Sequence, residues 1–325
     1  MAFGALNLDS VYLVERTLQD GEGLARPAGS FGGGSAANTI VALARLGLNT
    51  GVVGAVGEDV AGHTQLAELQ VSGVDTSQVR IKDCASSGLT LCFSDPSGRR
   101  AIYIVSGANQ LLERPDIPRA YLRGAVLVHC SSFLDEPQLA VQAACVRALP
   151  GRVRLSFSPG LPYAQRGIEA LRPILERCEV VFLNREELAT LTGGDTPIHS
   201  IQLRNAGAKA VVVTLGDGEM SARDLDTVQG ALGQADQRLT AWAATGEGTS
   251  GVRAPRADVV DATGAGDAFA AGYLYALLGG HPPVRCLAVA QVLAEFSLRA
   301  VGARGSLPDT RSLAAACLER YRFSP

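Results

Sequence analysis

The sequence predicts an α/β fold, with a mostly parallel central sheet covered by helices and a small second β-sheet that is discontinuous in sequence. Three observations carry that expectation. Short apolar runs rich in β-branched residues alternate with longer amphipathic stretches, the rhythm of βαβ units. The runs are continuously apolar, as strands are when helices cover both sheet faces. The rhythm breaks in two places, where strand-like runs follow one another with no helix between them.

Candidate strands of the central sheet are Phe3–Leu6, Thr50–Val56, Ala125–His129, Val153–Phe157, Val180–Leu183 and Ala210–Thr214. Helical patterns lie between them at Ser35–Leu46, Gly62–Ser72, Pro137–Ala148, Ile168–Arg177, Arg185–Thr192 and Ile198–Ala206. The first break in the rhythm is Val11–Glu15 followed by Leu24–Phe31. The second is Gly88–Phe93 and Ala101–Val105, which flank Asp95-Pro96-Ser97-Gly98, an order that suits a type I turn. These four runs are expected to form one lid sheet, residues about 10–32 and 86–108, within a single domain spanning 1–325. Such a lid can exclude water from a reacting site; two unrelated hairpins are the alternative. The stretch 217–258 is rich in Gly, Ala, Thr and Gln. One or two short strands and a mobile surface segment are expected there, with Gly246–Gly251 as a loop. From Asp267 onward the pattern is helical apart from loops near 279–283 and 302–308.

The chain of 325 residues is 47% apolar, enough to bury a substantial core. A formal net charge of −3 gives no reason to propose nucleic acid or an anionic membrane as partner. Seven cysteines and four histidines are scattered, with no Cys-x-x-Cys, so neither a zinc site nor a disulfide framework is expected. The opening MAFGALNLDS carries no basic leader or long apolar run, and a cytoplasmic location is expected. Lys82 and Lys209 are the only lysines and neither follows a glycine loop. A P-loop and the strand lysine of protein kinases are thereby excluded.

Two glycine-led helix starts carry the chemistry. In GGGSAANTIVALARLG (32–47), three glycines run straight into a helix of small residues, which lets a ligand approach backbone N–H groups closely. Asn38 near its start offers both a donor and an acceptor. Tight helix–sheet packing is the bland alternative. In DATGAGDAFAAGYLYAL (261–277), Gly264, Ala265 and Gly266 leave successive amides unobstructed at the positive end of a helix dipole, an anion hole suited to phosphate oxygens. Asp267 follows in the first turn, either as a helix-terminus charge or as a general base for an attacking hydroxyl. A dinucleotide fingerprint is not matched, because the third glycine is absent and the motif lies near the C-terminus.

Together, in this order, the two segments resemble the paired signatures of the ribokinase-like (PfkB) carbohydrate kinase family. Gly33, Gly34, Ala37 and Asn38 resemble its substrate segment, and Asp261 through Asp267 its anion-hole segment, with Ala262 where threonine is common. Asn7 and Asp9 resemble residues that grip substrate hydroxyls. Gly107-Ala108-Asn109 resembles the segment after the lid hairpin. Asn184 with Glu187 resembles the motif that holds hydrated Mg²⁺ and phosphates, and Thr214-Leu215-Gly216 the strand end that meets the nucleotide. The resemblance implies a ribokinase-like three-layer α/β/α fold and an ATP-dependent kinase acting on a hydroxyl of a small sugar or sugar-like alcohol.

The expected roles follow from that resemblance. Asp267 is the base, with Gly264, Ala265 and Gly266 as anion hole. Asn7, Asp9, Gly33, Gly34, Asn38 and Asn109 bind substrate; Asn184, Thr214, Gly216 and Gly218 bind nucleotide. Glu187 holds Mg²⁺ through water. A monovalent cation, K⁺, is expected near Asp261 and the carbonyls around Ala262, Val301 and Gly305. Three departures are evident, one of them the stretch 217–258, which is longer than usual for the family. Ser158 precedes Pro159 where the family often has aspartate, and Gly218 follows Gly216 at shortened spacing. Arg99 and Arg100 after the lid turn are candidates to close over an anionic group, and His129 a candidate to border the substrate pocket. A monomer or a lid-mediated homodimer is expected. A nucleoside kinase of the same fold and a non-catalytic binding protein on this scaffold are the rival readings.

Overall fold

The computed structural model describes residues 1–325 apart from Ser97, Gly98, Asp217, Glu219 and 221–226, together with the side chain of Arg100. The strands are β1 Ala2–Phe3, β2 Asn7–Val14, β3 Ala25–Gly33, β4 Thr50–Gly57, β5 Val74–Asp75, β6 Val79–Lys82, β7 Gly88–Ser94, β8 Arg100–Val105, β9 Leu127–Ser131, β10 Arg154–Ser158, β11 Val180–Asn184, β12 Ala210–Thr214, β13 Gly230–Leu232, β14 Arg238–Thr245 and β15 Gly248–Ala254. The α-helices are α1 Ser35–Arg45, α2 Val60–Val71, α3 Arg119–Arg123, α4 Glu136–Arg147, α5 Gly160–Ala164, α6 Gly167–Leu175, α7 Arg185–Thr192, α8 Ser200–Asn205, α9 Ala265–Leu278, α10 Pro283–Ser297 and α11 Thr310–Tyr321.

The central sheet runs β13-β15-β14-β12-β11-β10-β9-β1-β4-β5, with β6 also paired to β4. From β12 to β4 every pairing is parallel. Side chains alternate across it between two cores. Val180, Phe182 and Val212 join one with α1, α9, α10 and α11; Val181, Val211 and Val213 join the other with α4, α6, α7 and α8. Burial on both faces is why these strands read as unbroken apolar runs.

The lid is one sheet as expected, in the order β3-β2-β7-β8. The expected turn at 95–98 lies partly outside the described residues. The first strand is shorter than Phe3–Leu6, because the chain leaves the central sheet early. Asn109 takes it: its Oδ1 accepts from the Leu6 amide at 2.9 Å and its Nδ2 donates to the Leu6 carbonyl at 3.0 Å. The chain then enters the lid at Asn7, four residues before the expected start.

Residues 238–254 correct the sequence reading most. The strands expected there are present but longer: β14 and β15 form an antiparallel hairpin that extends the central sheet through β12, and most of the expected loop Gly246–Gly251 belongs to β15, leaving only a tight turn at 246–247. Ala241 and Ala243 face one core while Trp242 and Ala244 face the other. With alanine at 241, 243 and 244, β14 carries little β-branched signal, yet it packs well where helices lie close.

Trp242, the single tryptophan, is fully buried. Trp242→Ala should cost about 3–5 kcal/mol of unfolding free energy in urea titrations followed by circular dichroism. A loss under about 1 kcal/mol would mean the hairpin is not part of the core.

Candidate active site

The two glycine-led helices converge at the carboxyl ends of the parallel strands, where open α/β sheets place their sites. α1 leaves β3 through Gly34, whose φ of 90° and whose Cβ position, 2.3 Å from the Ala5 carbonyl, admit only glycine. A Cβ on Gly33 would lie 2.1 Å from an Asp9 carboxylate oxygen, so bare backbone lets Asp9 close over that residue. α9 begins at Gly264, held at φ 76° against Ala303, with Asp267 in its first turn.

Asp267 is clamped from α1. The Ser35 hydroxyl donates to its Oδ1 at 2.6 Å and the Asn38 Nδ2 to its Oδ2 at 2.9 Å. Burial is the largest influence on this carboxyl and pushes it up to about 6; the Ser35 and Asn38 hydrogen bonds and nearby Arg304 oppose the rise, while Asp9 adds to it. Among the described residues, the amides of Gly264, Gly266 and Asp267 donate to no protein group, whereas that of Ala265 turns back to the Ala262 carbonyl. Nothing lies within 4 Å of where a Gly266 Cβ would stand, so that backbone faces open space.

That space is a pair of cavities. The smaller, about 260 Å³, is lined by Ser35, Ser158, Asn184, Glu187, Thr214 and Asp267 among others. The larger, about 670 Å³, is lined near α9 by Asp261, Ala262, Ala265 and Gly266, and further out by Gly216, Arg238, Thr240 and Gln291. Gly266, Thr214 and Phe269 border both. Ala265 therefore shapes the wall without offering a free amide. Glu187 forms a capping box with Asn184, accepting from its backbone and side-chain nitrogens at 3.0 Å each. Burial, with Glu186 and Asp267 adding to it, pushes the Glu187 carboxyl up to about 7. Among the described residues no cluster of three or more His, Cys, Asp or Glu side chains could hold a metal ion directly.

On the lid side of Asp267 lie Asn7, Asp9, Gly33 and Asn38. Burial raises the Asp9 carboxyl, against the Thr90 hydroxyl and Arg304. Asn109 is not presented as a free group: besides Leu6 it donates to Asn7 Oδ1 at 3.0 Å, which makes it a strut beneath Asn7. Gly218 turns back onto Leu215 and lines neither cavity, so the structure separates it from Thr214 and Gly216. Asp261 uses Oδ1 on the Thr263 amide and hydroxyl and Oδ2 on the Gly302 amide, tying together the two loops expected around a cation. His129 is fully buried and bonded to Ser156 Oγ at 2.9 Å; burial lowers it to about 3, so it stays neutral inside the core. Arg99 pairs with Asp95 at the lid tip, and the Arg100 side chain lies outside the described residues.

Sequence reasoning missed Ser35 and Arg304. Ser35 stands inside the quoted glycine segment, and a hydroxyl at the first helical position was a readable signal. Arg304, only 9% exposed, lies in a turn with no motif to mark it.

Residues 1–310 match the pfkB family carbohydrate kinase profile. The chain belongs to the PfkB carbohydrate kinase family. It is 31% identical to an uncharacterized sugar kinase of Archaeoglobus fulgidus over 82% of this chain and 98% of that protein. It is 30% identical to an ATP-dependent ribose-1-phosphate kinase of Halopiger xanaduensis over 99% and 98% of the two chains. Among solved structures, Arabidopsis thaliana ribokinase complexed with ribose and ATP superposes with a TM-score of 0.76 at 24% identity, covering 96% of both chains. The fold is that of ribokinases, and the protein is an ATP-dependent phosphotransferase. No helix of the described residues is long and apolar enough to cross a membrane.

If Asp267 and Glu187 act in turnover, their raised carboxyls predict a pH dependence for this kinase. A raised carboxyl is protonated at higher pH than usual, so a base is present above its raised value and lost below it. The kcat/KM profile should fall as pH drops through the 6 to 7 range given by Asp267 and Glu187 together. A limb near pH about 4, the ordinary aspartate range, would contradict the burial seen here.

Proposed function

We propose that this kinase transfers the γ-phosphoryl group of ATP to a hydroxyl of a small sugar or sugar-like alcohol, with Asp267 as general base. One observation carries the reading: a half-buried, doubly held carboxylate stands beside unspent backbone amides at a helix N-terminus, on the border between a roomy cleft and the lid. Phosphoryl transfer asks a protein mainly for position and charge stabilisation. The amides of Gly264, Gly266 and Asp267 would stabilise charge on the transferring group and the β-phosphate. The acceptor hydroxyl, held by Asn7, Asp9, Gly33 and Asn38, would give its proton to Asp267 as its oxygen bonds to phosphorus and the β–γ bridging oxygen leaves on ADP.

Thr214 and Gly216 would meet the nucleotide on the floor of the larger cavity, and Arg238, Thr240 and Gln291 line its outer part. Asn184 and Glu187 suit a magnesium ion held through water, since they face the smaller cavity without a third acid for direct ligation. That ion would neutralise phosphate charge. A K⁺ near Asp261 would be held mainly by loop carbonyls, because the carboxylate is already occupied by Thr263 and Gly302.

Relatives named as ribose-1-phosphate kinase and deoxyribokinase support a pentose or its 1-phosphate as the first candidates for the acceptor. The lid offers a place for a second copy. Its edge strand β8 exposes Ile102, Tyr103, Ile104 and Val105.

Two measurements test the reading. An ADP-release screen over ribose, ribose 1-phosphate, deoxyribose, fructose and nucleosides should find turnover with a sugar-like alcohol. A nucleoside as the sole acceptor would replace the sugar, and no turnover at all would leave only binding. Asp267→Asn should keep ATP binding and lower kcat about a hundredfold or more. Turnover within a few-fold of wild type would remove Asp267 from the chemistry.

A further inference from the structure

We infer that Arg304 is a positioning residue for phosphoryl transfer, fixing the orientation of the Asn38 amide and through it the aim of the Asp267 carboxylate. This rests on Asp267 being the base. The Arg304 Nε donates to Asn38 Oδ1 at 2.9 Å, and the Asn38 Nδ2 donates to Asp267 Oδ2 at 2.9 Å. An amide can face either way, and the two ends differ only in whether they donate or accept. With Arg304 claiming the oxygen, only the NH₂ is left for Asp267. The flipped amide would set oxygen against carboxylate and NH₂ against guanidinium, two repulsive contacts in a buried site.

The same guanidinium grips the root of the lid. Its Nη2 donates to the Gly33 carbonyl at 3.3 Å, and its Nη1 pairs with Glu68 Oε2 at 3.4 Å. Glu68 Oε2 in turn accepts the Gly32 amide at 2.9 Å. The last two residues of lid strand β3 and the base are therefore tied to one planar fork, which a point-charge ammonium cannot reproduce.

Charge gives the arrangement a second consequence. The groups facing Asp267 are Asp9 from β2, Ser35 and Asn38 from α1, Glu187 from α7 across the smaller cavity, and Arg304 from the turn after α10. Of these Arg304 alone is cationic, and Glu68 offsets part of its charge. Removing it leaves the base among carboxylates and makes ionisation harder.

The experiment compares Arg304→Gln and Arg304→Lys with wild type, after thermal unfolding and ATP binding show each is folded. Readouts are kcat, KM and the pH profile of kcat/KM. Arg304→Gln should lower kcat about tenfold or more and move the acid limb upward by about half a pH unit or more. Arg304→Lys keeps the charge, so its limb should stay near wild type while kcat still falls. An unmoved limb in Arg304→Gln, or wild-type kcat in Arg304→Lys, overturns the inference. Should Arg304→Gln not fold, the kcat and limb of Arg304→Lys decide alone. If Asp267→Asn abolishes turnover but Arg304→Gln leaves the limb in place, only this inference fails; if Asp267→Asn turns over normally, the base assignment fails with it.

Discussion

The site depends on one contact: the carboxylate of Asp267, at the start of α9, held by Ser35 and Asn38 at the start of α1. Burying a carboxylate is costly unless hydrogen bonds meet it. Here two donors on a neighbouring helix meet it, and the contact brings together two helix N-termini that lie more than two hundred residues apart in sequence. The positive ends of both dipoles then point into one region, with the free amides of α9 beside the cleft. The central sheet supplies the platform. Its parallel strands end together, so that Ser158, Asn184 and Thr214 from three successive strands border the same cavity.

The lid enters through the other end of the same contact. β3 runs directly into α1 through Gly33 and Gly34, so the inner lid strand and the helix that clamps Asp267 are one continuous piece of chain. Asp9 on the paired strand β2 lies over Gly33, and Asn109 braces the point where β2 leaves the central sheet.

Much of this was legible in the sequence, for physical reasons. Continuous apolar runs mark strands buried on both faces, and glycines ahead of small-residue helices mark places where backbone must stay bare. Those two signals located the sheet and the helix starts around Asn38 and Asp267, and strand-like runs with no helix between them located the lid. The extent of the β14–β15 hairpin and its place in the central sheet were not legible, because many of its inward positions are alanine and glycine, suited to close packing. Arg304 escaped because its partners come from three separate segments, around Asn38, Gly33 and Glu68, that only the folded chain assembles. Asn109 was recognised, but a matching motif cannot tell a free amide from one spent on Leu6 and Asn7. Gly218 shows the same limit: its place after Gly216 suggested a nucleotide contact, whereas the turn directs it toward Arg185.

The most direct test is a crystal structure of the protein with a non-hydrolysable ATP analogue, magnesium and an accepted alcohol. The terminal phosphate should lie against the Gly266 and Asp267 amides, with the acceptor hydroxyl within about 3.2 Å of an Asp267 oxygen. Phosphates bound elsewhere in the cleft, or an acceptor hydroxyl facing a different acid, would contradict the arrangement on which the chemistry depends.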